Sequence, residues 1–202
     1  MTNTATINFT TYGGAITEAL DRIGANTVLA DQAKILIKPN LVTASPYPIT
    51  TSPQCCAAII DYARACNADA DIVIAEGTGD PAYDGLKIFS ELGYTRLVEQ
   101  KQVTLVDLNA EPTVKCEKPE CKRFPEFYLP KIALSHYIIS VPVLKAHTLA
   151  GFTGTMKNMM GFAPPAHYAG AGGIWNKAVF HSGIQEAIRD LNRYRRADLT
   201  VM

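Results

Sequence analysis

AKILIKPNLV, residues 33–42, and DIVIAEG, residues 71–77, decide the fold. Each sets a run of branched aliphatic side chains (Ile35, Leu36, Ile37; Ile72, Val73, Ile74) directly against polar residues. A run that is apolar at every position, rather than at alternate ones, suits a strand covered on both faces, the parallel type. Lys38, Pro39 and Asn40 follow the first run, and Glu76, Gly77, Thr78 and Gly79 the second. Pro39 biases Lys38 to an extended backbone, so these polar side chains belong to strand exits. In open parallel sheets that is the edge at which ligands bind.

The same punctuation recurs outward along the chain. Val103–Val106 is a strand with Asp107 at its exit, and Tyr137–Leu144 is an apolar run that gives way to Lys145, His147 and Thr148. Between these strands lie helices. Ser52–Pro53 is an N-cap followed by proline at the first helical position and opens a helix at Gln54–Cys66, with Ala58, Ile59, Tyr62 and Ala65 on its buried face. Further helices are expected at Ala15–Arg22, closed by Gly24, at Gly85–Leu92, and at Ser182–Tyr194. In the last, Ser182 is the cap, Ile184, Ala187, Ile188 and Leu191 form the buried stripe, and Asp190 and Arg193 face outward. Ala5–Thr11 alternates as a first strand turned by Gly13–Gly14, and Asp198–Met202 begins another. The fold expected is α/β: a mostly parallel sheet flanked by helices, with an irregular excursion near 109–130 and a long glycine-rich loop near 146–181. It forms a single domain over 1–202, and because its final strand has no exit it reads as the amino-terminal portion of a longer one.

Composition narrows the function classes. Net charge is zero and 19% of residues are charged, which is no nucleic-acid footprint. No apolar run approaches the ~20 residues of a membrane span, and MTNTATINF lacks the segments of a signal peptide. The chain is therefore expected in the cytoplasm, with neither nucleic acid nor membrane as partner. The five cysteines, an odd number, agree with a reducing compartment. Cys55, Cys56 and Cys66 are expected as core or boundary residues. Cys116 and Cys121, a C-x4-C pair in the excursion, are expected as exposed thiols or a labile disulfide, since a metal or cluster needs more ligands than they supply.

Charge is distributed unevenly. The 59 residues from Phe127 to Gln185 contain no Asp or Glu, although the chain has 19. The same window holds all four histidines (His136, His147, His167, His181) and the lysines Lys131, Lys145, Lys157 and Lys177. Such a stretch suits a pocket that receives an anion. Lys145, His147, Lys157 and His181 are the candidate catalytic residues: a lysine desolvated beside another cation has a lowered pKa and serves as base or nucleophile, and imidazoles transfer protons. Lys38, Asn40, Glu76, Thr153, Gly154 and Asn158 are the candidate ligand-binding residues, and no metal ligands or cofactor are assigned. His136 and His167 are read as structural. P-loop, dinucleotide, nucleophile-elbow and zinc-helix motifs do not occur.

The segments KPNLV (38–42), Thr51–Pro53, AEG (75–77), KAH with GFTGTMKNMMG (145–161), His181 and the terminal RRADLTVM together resemble the family catalogued as domain of unknown function 362. The resemblance spans nearly the whole chain. It implies a chain that continues beyond this point and, because many members carry or neighbour ferredoxin-like modules, an iron–sulfur partner. It also implies a layout similar to the amino-terminal domain of nickel-dependent lactate racemase, where lysine and histidines surround a cofactor. Two functions follow as expectations: an enzyme acting on a small anionic metabolite by acid–base chemistry, or a redox or cluster-linked partner without catalysis of its own. A homo-oligomer is compatible with either.

Overall fold

The computed structural model describes residues 3–172 and 175–202. Its centre is a sheet of five strands: β1 (Lys34–Pro39), β2 (Asp71–Glu76), β3 (Thr104–Asp107), β6 (Tyr137–Val141) and β9 (Leu199–Thr200), in the order β3-β2-β1-β6-β9. All four pairings are parallel, with Ile37 opposite both Ile74 and Ile139. The chain leaves β1 toward β2 and β3, then returns to the other side of β1 through β6. The order thus reverses between β1 and β6, a switch point of the kind at whose carboxyl edge open parallel sheets bind ligands.

The apolar runs are buried on both faces, as their lack of alternation requires. Ile35, Ile37, Ile72, Ile74 and Ile139 pack against α1 (Tyr12–Arg22), α2 (Ala25–Ala30), α3 (Pro53–Cys66), α4 (Gly85–Glu91) and α5 (Thr95–Lys101). Leu36, Val73, Ala75 and Ile138 face the opposite way into a second core. That core is aromatic, with Phe124, Phe127, Phe162, Tyr168 and Phe180, and α8 (Ile184–Tyr194) closes it. The excursion is an antiparallel hairpin of β4 (Thr113–Glu117) and β5 (Glu126–Pro130), and it belongs to this second core through Phe127 and Leu129.

Several expectations are corrected. Residues 3–11 form no strand; the parallel sheet offers them no pairing partner, and Phe9 stays exposed. Gly13 and Gly14 lie inside the first turn of α1, whose cap is Thr11, its side chain accepting from the Gly14 amide at 3.2 Å. The buried face of α3 is turned from the expected one: Cys56, Ile59, Ile60, Tyr62 and Ala63 are buried, whereas Ala58 is half-buried and Ala65 exposed. The helix α5 was not expected. It ends at Gln102 in the left-handed region, φ 50°, a conformation that sequence rules reserve for Gly and Asn. Tyr137–Leu144 ends as a strand at Val141, and a separate small hairpin follows, β7 (Lys145–His147) paired with β8 (Gly151–Thr153). Inside the glycine-rich loop are two single-turn helices, α6 (Thr155–Asn158) and α7 (Pro165–Tyr168). Cys121 is buried and Cys116 half-buried, both free, so they are not an exposed pair.

The cap of α8 is Gly183 at φ 83°, not Ser182. Its Asp190 faces inward and is fully buried. The carboxylate accepts from the backbone N–H of Arg123 at 2.7 Å and of Phe124 at 3.3 Å, while Arg193 on the outer side comes within 3.9 Å. A helical charge pattern predicts solvent for such a residue; an uncapped loop with two unsatisfied amides recruits it instead. Asp190→Ala is expected to cost about 2–3 kcal/mol, because both amides lose a charged acceptor. Urea unfolding followed by circular dichroism measures it, with Asp190→Asn retaining part of the stability.

Candidate functional site

Parallel register brings Lys38 and Glu76 to the ends of neighbouring strands. The Lys38 ammonium donates to Glu76 Oε1 at 2.8 Å, and both side chains are shut off from solvent. Both groups have further partners. Lys38 Nζ also donates to the Pro39 carbonyl at 3.1 Å and lies 3.4 Å from Asn158 Oδ1. Glu76 accepts from the amides of Gly77 at 2.8 Å and Leu41 at 3.0 Å. Burial pulls the Lys38 pKa down and the Glu76 carboxylate opposes it. Gly77 and Gly161 seal the pair. A Cβ on Gly161 would lie 2.1 Å from Glu76 Oε1, and one on Gly77 2.3 Å from the Gly161 carbonyl oxygen.

Five of the ten expected residues share one cleft above this pair, and Lys145, His147, Gly154 and His181, like Lys38, are not in its lining. Asn158 of α6 donates to the Lys38 carbonyl at 3.2 Å and to Ser140 Oγ at 3.0 Å, so the glycine-rich segment is pinned on the ends of β1 and β6. Asn40, Glu76, Thr153, Lys157 and Asn158 line one narrow cleft of about 70 Å³. Lys145 donates to Asn40 Oδ1 and to the Ile49 carbonyl, each at 2.7 Å. It sits opposite Thr153 in the β7–β8 pairing, with His147 opposite Gly151. Gly154 opens α6 and is buried behind Thr153. Thr51, whose hydroxyl accepts from the Asn40 amide at 2.8 Å and donates to the Val141 carbonyl at 2.7 Å, fixes the exits of β1 and β6 together.

The side chains around the cleft carry more positive than negative charge. Lys38 and Glu76 cancel each other. Lys145 meets only neutral oxygens, and among the described residues the Lys157 ammonium has no hydrogen-bond or ion-pair partner. The pKa of Lys157 is lowered by burial and then by Lys145; that of Lys145 is lowered by burial against the pull of Glu76. His147 is held below its ordinary value by burial, then by Lys157, His181 and Lys145. Its Nδ1 accepts from the amides of Leu149 at 3.2 Å and Ala150 at 3.1 Å. The neutral ring therefore carries its proton on Nε2 and presents a donor, which narrows the proton-transfer role expected for His147 to donation. His181, exposed at the end of a 3-10 turn, lies close enough to act on His147.

Lys38 is not available to a ligand: it stands behind the cleft wall. His136 and His167 lie outside, the latter stacked on Tyr128 with ring centroids 3.9 Å apart. The sequence reading missed Lys177 as a site residue. It is 4% exposed, lines the same cleft, and donates to Asn109 Oδ1 at 2.5 Å and to the Ala163 carbonyl. The preceding Asn176 bonds to the Thr78 and Asp80 carbonyls at 3.2 and 3.3 Å, so this part of the glycine-rich loop straps the exit of β2. A larger hollow of about 670 Å³ lies between α1, α2 and α3, but its lining includes no lysine or histidine. Among the described residues no three His, Cys, Asp or Glu side chains group as a metal site, and no helix is long and apolar enough to cross a membrane.

The sequence profile of the family described as "Domain of unknown function (DUF362)" matches residues 35–202. No curated protein matches the chain. Among solved structures, the lactate racemase apoprotein from Thermoanaerobacterium thermosaccharolyticum aligns with a TM-score of 0.54 at 18% identity. The alignment covers 83% of this chain and 42% of that one, so the chain spans less than half of its neighbour. At that identity the likeness is one of fold.

Two outcomes test the geometry. Lys38→Met leaves a buried carboxylate without its cation and is expected to cost about 3–5 kcal/mol, measured by denaturant unfolding. Lys177, whose pKa burial pushes down to about 7 from an ordinary 10.5, binds fewer protons folded than unfolded between those two values. Stability should therefore rise with pH across that window. Lys177→Met should flatten the rise in a pH series of unfolding midpoints.

Proposed function

This chain belongs to the DUF362 family, and we propose that within it the chain is an enzyme that binds a small anionic metabolite and moves a proton on it. The observation that carries this reading is Lys157: an ammonium on the cleft wall, beside Lys145 and His147, with no carboxylate assigned to it among the described residues. Desolvated cations that are not neutralised internally attract an anion strongly, and a carboxylate or phosphate group supplies the missing charge. Lys145, held rigid by Asn40 and the Ile49 carbonyl, contributes charge from the side.

The chemistry follows from the same environment. The forces that lower the Lys157 pKa make its ammonium a stronger acid, so it can hand a proton to the guest it holds. The Nε2–H of His147 donates to an oxygen on the guest and polarises it, as a neutral imidazole does when its other nitrogen is occupied. His181, exposed to solvent, exchanges the proton with bulk water. Thr153 orients the guest, and Asn158, whose amide hydrogens go to the Lys38 carbonyl and Ser140, holds the cleft wall in place. The fold likeness to a racemase apoprotein agrees with proton chemistry on a small molecule but does not select the molecule.

Thermal unfolding in a panel of inorganic phosphate and small 2-hydroxy and 2-oxo acids tests the reading. A true ligand at ten times its Kd stabilises by about 1.4 kcal/mol. The shift should weaken at least tenfold in concentration dependence in Lys157→Met, persist in part in Lys157→Arg, and decline with added salt. A panel that moves nothing, or a shift identical in Lys157→Met, overturns it.

A further inference from the structure

Lys177 is a second amine in the cleft that the proton-transfer scheme does not use. Its position is unusual for a lysine. The side chain is almost wholly buried, and it reaches the cleft from the strap, on a segment separate from the one that carries Lys157. Two fixed acceptors, Asn109 Oδ1 and the Ala163 carbonyl, take two of its hydrogens. Asn109 is itself held, its amide donating to Asp107 Oδ1 at 2.9 Å and its side chain to the Thr78 carbonyl at 3.0 Å. An ammonium has three hydrogens and a neutral amine two. With both acceptors satisfied by the neutral form, the remaining tetrahedral direction on nitrogen is a lone pair, and among the described residues no third hydrogen-bond acceptor is assigned to it.

We propose that Lys177 is a nucleophilic amine of this cleft and forms an imine with the carbonyl carbon of a small 2-oxo acid whose carboxylate is held by Lys157 and Lys145. The proposal deepens the anion-site reading and rests on it. The step balances without a cofactor. The neutral nitrogen attacks the carbonyl carbon, and its proton passes to the former carbonyl oxygen to give a carbinolamine. That hydroxyl then leaves as water with one further proton, supplied by the Lys157 ammonium, and the C=N bond forms. The iminium withdraws electrons from the adjacent carbon, whose C–H becomes acidic enough for a lysine base to remove.

The groups facing Lys177 support a neutral amine at ordinary pH. Glu76 of β2 and Asp107 of β3 favour the charged form, whereas Lys38 of β1 and burial disfavour it; burial dominates, and the pKa falls to about 7.

The test is reductive trapping of the purified protein with pyruvate or glyoxylate and sodium cyanoborohydride, with the adduct located by peptide mass spectrometry. The expected result is a single dominant adduct on Lys177, formed at a rate that rises through about pH 7 and levels above it. Lys177→Arg should abolish the dominant adduct, with circular dichroism checking that the variant is folded. Labelling spread over exposed lysines such as Lys87 and Lys122, still rising beyond pH 9, overturns the proposal, as does a dominant adduct on Lys157. Lys157→Met separates the two readings. Loss of Lys177 trapping there, tenfold or more in pyruvate concentration, joins them, whereas unchanged trapping removes the anion role of Lys157 and leaves the imine. If ligand shifts depend on Lys157 but no trapping occurs at Lys177, the imine fails alone.

Discussion

The buried pair of Lys38 and Glu76 is the constraint on which the arrangement rests. A charge taken out of water needs a partner and further hydrogen bonds, or its desolvation outweighs the attraction. Here those bonds come from the loops that leave β1 and β2, through the amides of Leu41 and Gly77, and from Asn158 across the cleft. The same demand fixes where the glycine-rich segment lies. Only a residue without a Cβ fits at Gly161, pressed on the carboxylate and the ammonium together. The ion pair is thus a template: it sets the course of three loops that have no regular structure of their own.

Around that neutralised centre the protein tolerates a surplus of positive charge. The all-parallel sheet sends every strand exit to one edge, so lysines from distant parts of the chain meet there. Their mutual repulsion and loss of water are accommodated by depressed pKa values rather than by carboxylates. The acid-free stretch from Phe127 to Gln185 is the trace of this in the sequence. Glu76, the one carboxylate that lines the cleft among the described residues, comes from outside that stretch and arrives already paired.

Much of this was legible in the sequence because it is local. Unbroken apolar runs mark β1, β2 and β6, Ser52–Pro53 opens α3, and the polar residues after each run mark the carboxyl edge of the sheet. Features set by contacts between distant segments were not legible. Asp190 satisfies a helical pattern for solvent, yet two amides more than 60 residues away turn it inward. Residues 5–11 alternate like a strand but have no neighbour to pair with. Lys177 looks like any surface lysine until the strap docks on Thr78, Asp80 and Asn109. The burial of Lys38 likewise depends on Gly161, which a strand-exit reading cannot place.

The Thr51 hydroxyl, bonded at once to the exit of β1 and to that of β6, acts as a rivet across the switch point. Two strand ends joined by such a bridge do not spread independently. A shift of one exit is passed to the other, so the segment that follows β1 and the segment that follows β6 can only travel as one piece.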